Sequence, residues 1–142
     1  MNRIIKGLGL VVFCFWQAIQ GGVNEDLLEA AKKGNVTEVQ RLLQQKADVG
    51  VKDRGGWTSL HLAAQEGKTE VAELLLQQKA DALAKDKDGR TPLHLAAQEG
   101  KTEVAKLLLQ HQADVGAKIT GVRYEGWAPL HNAAWKGHKE VA

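Results

Sequence analysis

The sequence predicts an all-α repeat fold, an α-solenoid of stacked antiparallel helix pairs joined by β-hairpin-like fingers. Three observations predict it. Laying residues 58–85 over 91–118, at an offset of 33, gives 22 identities in 28 positions, and self-similarity at such a period marks a stack of supersecondary units. Within each period, two short runs carry apolar residues at helical spacing and are divided by one glycine. Between periods lie Asp53-Arg54-Gly55-Gly56 and Asp86-Lys87-Asp88-Gly89, compositions that form tight turns.

The unit is clearest at Thr91–Gln110. Thr91 can cap a helix with its hydroxyl, and Pro92 suits the first helical position, where a missing N–H is harmless. Leu93, Ala96 and Ala97 share one face, and the two alanines let another helix approach closely. Gly100 can take positive φ and reverse the chain. Thr102 is expected to cap a second helix, whose apolar stripe is Val104, Leu107 and Leu108, with Glu103, Lys106 and Gln110 in water. Burying a Leu or Val contributes about 1.5–3 kcal/mol, too little for one isolated pair to offset the entropy of its own ordering. Neighbouring units must cover each flank.

In chain order, residues 1–21 are different material. Arg3 and Lys6 precede an apolar run of about 13 residues, followed by Ile19-Gln20-Gly21. This reads as a secretory signal, with charged, apolar and small-residue parts. The run is shorter than the ~20 residues of a spanning helix, so no stable membrane span is expected. An uncleaved hydrophobic arm is the alternative. Phe13 stands where a lipoprotein signal needs a small residue, against lipidation of Cys14. The localisation expected is therefore secreted or exported, with cytoplasmic as the alternative.

The repeat domain follows over residues 22–142, with units at about 24–56, 57–89, 90–126 and 127–142. In the first, Leu27, Ala30, Ala31 and Gly34 lie 33 residues before Leu60, Ala63, Ala64 and Gly67, and Val39, Leu42 and Leu43 form the second stripe. Glu25, Asp26, Glu29 and Lys32 charge its opening helix, as befits an end cap with one solvated face. The third connector, Asp114 to Ala128, spans 14 residues where Asp48 to Thr58 and Asp81 to Thr91 span 10. Four residues around Gly121-Val122-Arg123-Tyr124 are thus inserted at the finger tip, a cheap lengthening in loop entropy. The last unit opens at Ala128-Pro129-Leu130-His131 and reaches only the first turn of a second helix at Glu140-Val141-Ala142. Leu130 and Ala133 should then both lack packing, and the chain is expected to be a fragment of a longer array, or else frayed at its end.

The Thr-Pro-Leu-His-Leu-Ala-Ala run at 91–97, the glycine six residues after His94 and the Leu107-Leu108-Leu109 half together resemble the ankyrin repeat. The resemblance covers roughly Asn24 to the C-terminus. Two departures stand out. Lys46, Lys79 and Gln112 occupy positions where the family usually has glycine after the second helix, and a non-glycine residue in the left-handed region costs about 1 kcal/mol. The family's finger aspartate is present as Asp53 and Asp86 but is replaced by Ile119.

Composition bounds the function. The formal charge is +2, and removal of residues 1–21 leaves zero. Lysines alternate with acids along the helices, unlike the concentrated basic surface of a nucleic-acid binder. The single cysteine lies in the leader, so the remainder carries no thiol or disulfide. His61, His94 and His131 occupy one position per unit, and stacked helices about 8–10 Å apart hold imidazoles too far from one another to share a zinc. They are expected instead to bond the neighbouring finger and the threonine of their own turn, as the resemblance also implies. His111 and His138 are expected to be exposed, with no partnering acid or thiol. No nucleophile with a base and no phosphate-binding glycine loop is found, so neither enzymatic activity, nor a cofactor, metal or small-molecule substrate, nor nucleic-acid binding is expected.

What the resemblance implies is a monomeric protein-interaction module. Its partner protein would lie on the concave face made by finger tips and first helices. The matching finger positions are Lys52, Arg54 and Trp57, then Lys85, Lys87, Asp88 and Arg90, with Arg123 and Tyr124 in the insertion. The matching helix ends are Gln65 and Glu66, Gln98 and Glu99, and Trp135 and Lys136. Trp57, Arg90 and Trp127 are equivalents. Two readings of the tryptophans stand open: Trp127, Trp135, Tyr124 and Trp57 as an aromatic anchor for a partner, or Trp57 and Trp127 laid against adjacent fingers. A segment of a longer enzyme or membrane protein, or an exported effector, are the competing functions.

Overall fold

The computed structural model describes residues 22–121 and 125–140. The leader with Cys14, the insertion residues Arg123 and Tyr124, and the terminal Val141 and Ala142 lie outside them. Among the described residues the chain is helical over 22–33 (α1), Val36–Gln44 (α2), Ser59–Glu66 (α3), Thr69–Gln77 (α4), Pro92–Gln98 (α5), Thr102–Gln110 (α6) and Pro129–Lys136 (α7). First helices α3, α5 and α7 pack in sequence, second helices α2, α4 and α6 in a parallel row. The result is the expected all-α stack. The described residues contain no helix long and apolar enough to cross a membrane.

The core runs through the stack as one cluster. Leu27, Leu42, Leu60, Leu75 and Leu108 are fully buried, and the alanine pairs Ala30/Ala31, Ala63/Ala64 and Ala96/Ala97 fill the close approaches between units. Glycine turns close each pair: Gly34, Gly67 and Gly100 have φ of 77°, 68° and 64°. They also accept the next unit. A Cβ on Gly67 would come within 2.8 Å of Lys101 Cδ, whose stem lies across the turn.

That packing corrects the expected Thr102 cap. The capping residue of α6 is Lys101, with no side-chain cap, and Thr102 is the first helical residue. The helix restarts directly after the glycine turn because Lys101 must lie over Gly67 of the preceding unit. Asn35, by contrast, does cap α2, accepting from the Glu38 amide at 3.1 Å.

The second helices end with Lys46, Lys79 and Gln112 at φ of 62°, 64° and 65°, in the left-handed conformation their positions demand. The fingers are turns, each closed by an outer backbone bond, Asp53 N–H to Trp57 O (2.9 Å), Asp86 N–H to Arg90 O (3.0 Å) and Ile119 N–H to Trp127 O (2.9 Å), with a second bond inside it from Gly56, Gly89 and Gly126 N–H back to Asp53, Asp86 and Ile119 O. Among the described residues, an isolated antiparallel bridge pairs Lys52 with Thr58. The matching closures span four, four and eight residues, so the insertion lies inside the third finger.

At the far end, Leu130 is 54% exposed where Leu60 and Leu93 are buried, and Leu109 and Val115 are exposed beside it. Ala133, expected to share that fate, is fully buried. It sits on the side of α7 that faces α5, whereas Leu130 points to the uncovered flank.

Ser59 occupies the first helical position held elsewhere by Pro92 and Pro129, and its buried hydroxyl has no hydrogen-bond partner. Thr58 before it already has the extended conformation, φ −87° and ψ 167°, that proline requires of its predecessor. Ser59→Pro is expected to stabilise the chain by about 0.5–1 kcal/mol, read as a higher urea midpoint, since it stiffens the unfolded chain and removes an unpaired buried hydroxyl.

Candidate functional site

The concave face is set by what ties each finger to the next. His61 is buried. Its Nδ1 faces the Thr58 N–H at 3.1 Å and the Thr58 hydroxyl at 2.8 Å. An amide can only donate, so Nδ1 accepts and the proton sits on Nε2, which donates to the Arg90 carbonyl of the next finger at 3.0 Å. His94 repeats this with Thr91 and the Trp127 carbonyl, at 3.1, 2.9 and 3.0 Å. Both ring nitrogens are committed to the protein, which leaves none for a metal. Backbone bonds run alongside, from Lys87 N–H to Gly55 O (3.0 Å) and from Thr120 and Gly121 N–H to Asp88 O (3.1 and 2.8 Å). Among the described residues, no group of three or more His, Cys, Asp or Glu is placed to hold a metal ion.

His138 corrects an expectation. It is half-buried, lies over Gly100, and its Nε2 is 3.0 Å from the Gln98 carbonyl, tying the end of α7 back to α5. His111 is exposed. His131 accepts from the Ala128 N–H at 3.0 Å, the threonine hydroxyl being absent there.

The predicted surface residues divide into two groups. Arg90, Gln98, Trp127, Trp135 and Lys136 come together around a groove of about 300 Å³, floored by Ile119 and Asn132. Trp135 is 71% exposed and stands edge-on to Trp127, centroids 5.9 Å apart; Trp127 also lies 6.2 Å from the His131 ring. Trp57 is elsewhere. The Arg90 guanidinium lies 5.3 Å above its ring, and Arg90 is itself held by Asp86 (2.9 Å) and Asp88 (3.3 Å). Trp57 thus lies against the adjacent finger through Arg90, while Trp135 is largely exposed. Lys52, Arg54, Lys85, Lys87, Glu66 and Lys136 are exposed; Gln65, Gln98 and Glu99 are half-buried, with Gln98 donating to Glu99 at 3.1 Å.

Two groove residues were missed in the sequence. Asn132 stands where Leu62 and Leu95 stand in other units, and its amide donates to the His94 carbonyl at 3.3 Å. Ile119 replaces the finger aspartate. The signal was there: where the second unit pairs Asp86 with Arg90, the third has Ile119 and Trp127, so an ion pair gives way to two apolar side chains.

A family profile for ankyrin repeats, in three copies, matches residues 27–119 and 80–142. The chain belongs to the ankyrin-repeat family. It is also similar to two much longer proteins, both called mitochondrial disaggregase. The human protein is 48% identical over 56 residues, 38% of this chain and 8% of that protein. The bovine protein is 44% identical over 54 residues, again 38% and 8%. The chain thus matches only a small part of the length of these curated relatives.

Burial pushes the pKa of His61 and of His94 below the ordinary histidine value, against the opposing pull of the carbonyls that accept from Nε2. The unfolded chain then takes up protons first. Stability is expected to be full above about pH 6.5 and to fall as the pH drops from there toward the lowered folded values. Urea midpoints at pH 7.5 and 5 measure this, and His61→Gln should flatten the slope. Trp135→Ala is expected to change stability by less than about 0.5 kcal/mol in the same assay, as for an exposed side chain outside the core.

Proposed function

We propose that the chain is a non-enzymatic protein-interaction module that holds its partner on the concave face, with Trp127 and Trp135 as anchor. The observation that carries this is the groove: a largely exposed tryptophan at the end of α7, flanked by Lys136 and braced by Trp127 of a finger that is hydrogen-bonded to its neighbour. Solvent-exposed tryptophan beside a cation suits interface chemistry, and a braced scaffold loses little entropy on binding. Ankyrin repeats supply protein-binding surfaces in general, in keeping with the family match.

A second reading is favoured by the relatives, in which the matched segment is about 8% of the protein: the repeats act as a targeting or regulatory segment of a larger protein. Reading the coding sequence past Ala142 separates the two, further repeats favouring the module and new composition the fusion. Export through residues 1–21, and action as an exported effector, would show as processed chain outside the producing cell.

The binding face is tested by placing a photo-reactive side chain at position 135 of the full chain, or at Lys106 on the exposed side of α6. Cross-links to one protein from position 135, competed away by unmodified chain and absent from position 106, are expected. The reverse pattern would place the partner on the outer helices.

A further inference from the structure

We infer that the partner segment on the fingers is an extended acidic polypeptide, with a carboxylate at about every third residue; this rests on the concave-face reading above. In sequence the finger charges alternate, as in Lys52-Asp53-Arg54 and Lys85-Asp86-Lys87, and look balanced. The fold separates them. Asp53, though exposed, folds its carboxylate back onto its own turn, accepting from the Gly55 and Trp57 amides at 2.8 and 2.9 Å. Asp86 is buried and accepts from the Asp88 and Arg90 amides at 2.9 and 2.8 Å as well as from the Arg90 side chain. The third aspartate is replaced by Ile119.

What remains outward has a cationic excess: exposed Lys52, Arg54, Lys85, Lys87 and Lys118 against exposed Asp53, Asp88 and Glu125. Lys52, Lys85 and Lys118 fall at the same position of successive fingers, 33 residues apart, and all are exposed. Lys52 Nζ reaches the Lys85 carbonyl at 3.0 Å, so neighbouring members of the row lie side by side. None of the three makes an ion pair among the described residues. Asp81 borders the cleft next to Lys52 and Lys85, but its carboxylate accepts from the Leu83 amide at 2.8 Å.

The spacing selects the partner. Stacked units advance about 8–10 Å, and an extended polypeptide advances about 3.3 Å per residue, so one acidic residue in three meets one lysine per finger. A nucleic-acid strand carries its charges more densely, and Asp88 and Glu125, exposed on the same fingers, would face phosphates. A polypeptide can set neutral residues opposite those acids.

The test uses the full chain and a fluorescent peptide of about 12 residues with Glu at every third position and Ser between. The comparators are a peptide of the same composition with its Glu residues contiguous, and a single-stranded DNA oligonucleotide. The spaced peptide is expected to bind about three- to tenfold tighter than the contiguous one at low salt, as a few exposed ion pairs permit, and to weaken as salt is raised. The triple variant Lys52→Gln, Lys85→Gln, Lys118→Gln should lose that preference with an unchanged melting curve; if it melts early, Lys118→Gln alone carries the comparison. Equal binding of the two peptides, tighter binding of the DNA, or a preference that survives the substitutions would overturn the inference. Should the preference be missing while cross-links still run from position 135, the concave binding face stands and only the acidic segment falls.

Discussion

Each helix pair here has an apolar flank that it cannot bury by itself, and the rest of the structure follows from how that flank is covered. Helices of seven to nine residues are too short to be stable alone in water. They hold because the alanine pairs of α3 and α5 let the next unit approach closely enough for leucines from both to interlock. Leu76 and Leu109 are equivalent residues in equivalent helices, yet Leu76 is 7% exposed and Leu109 is 45% exposed. The difference is the unit that covers Leu76.

Covering the flanks brings the fingers side by side, and the histidines fix how they sit. A neutral imidazole with a threonine amide on one nitrogen and the next finger's carbonyl on the other joins local turn geometry to the inter-unit contact. Low local dielectric strengthens such bonds and makes losing one expensive. The finger aspartates act on the same principle within each unit, since their carboxylates satisfy turn amides. With Asp86 buried and Asp53 folded onto its own turn, the exposed finger charges are left in cationic excess, a distribution that the composition conceals.

The third finger shows how a groove arises from small departures in a repeated scaffold. Ile119 and Trp127 take the places of an aspartate and an arginine, Asn132 takes that of a leucine, and Trp135-Lys136 takes that of Gln-Glu. Each change is modest alone. Because stacking brings all of them to one place, they line one groove.

The family resemblance pointed to the left-handed Lys46, Lys79 and Gln112, and the sequence by itself determined the stack, its period, the glycine turns, the structural roles of His61 and His94 and the placing of the insertion in the third finger. These follow from local chemistry: backbone conformations that few residues accept, apolar spacing along a helix, and a pattern repeated in phase. Only the tertiary structure decided that Lys101 rather than Thr102 is the capping residue of α6, that His138 ties back to Gln98, that Ala133 is buried while Leu130 is not, and that Trp57 lies under Arg90 while Trp135 stays largely exposed. Each of those depends on which atom of one unit lies across from which atom of the next, and residues 33 or more apart in the chain carry no local signal of that meeting.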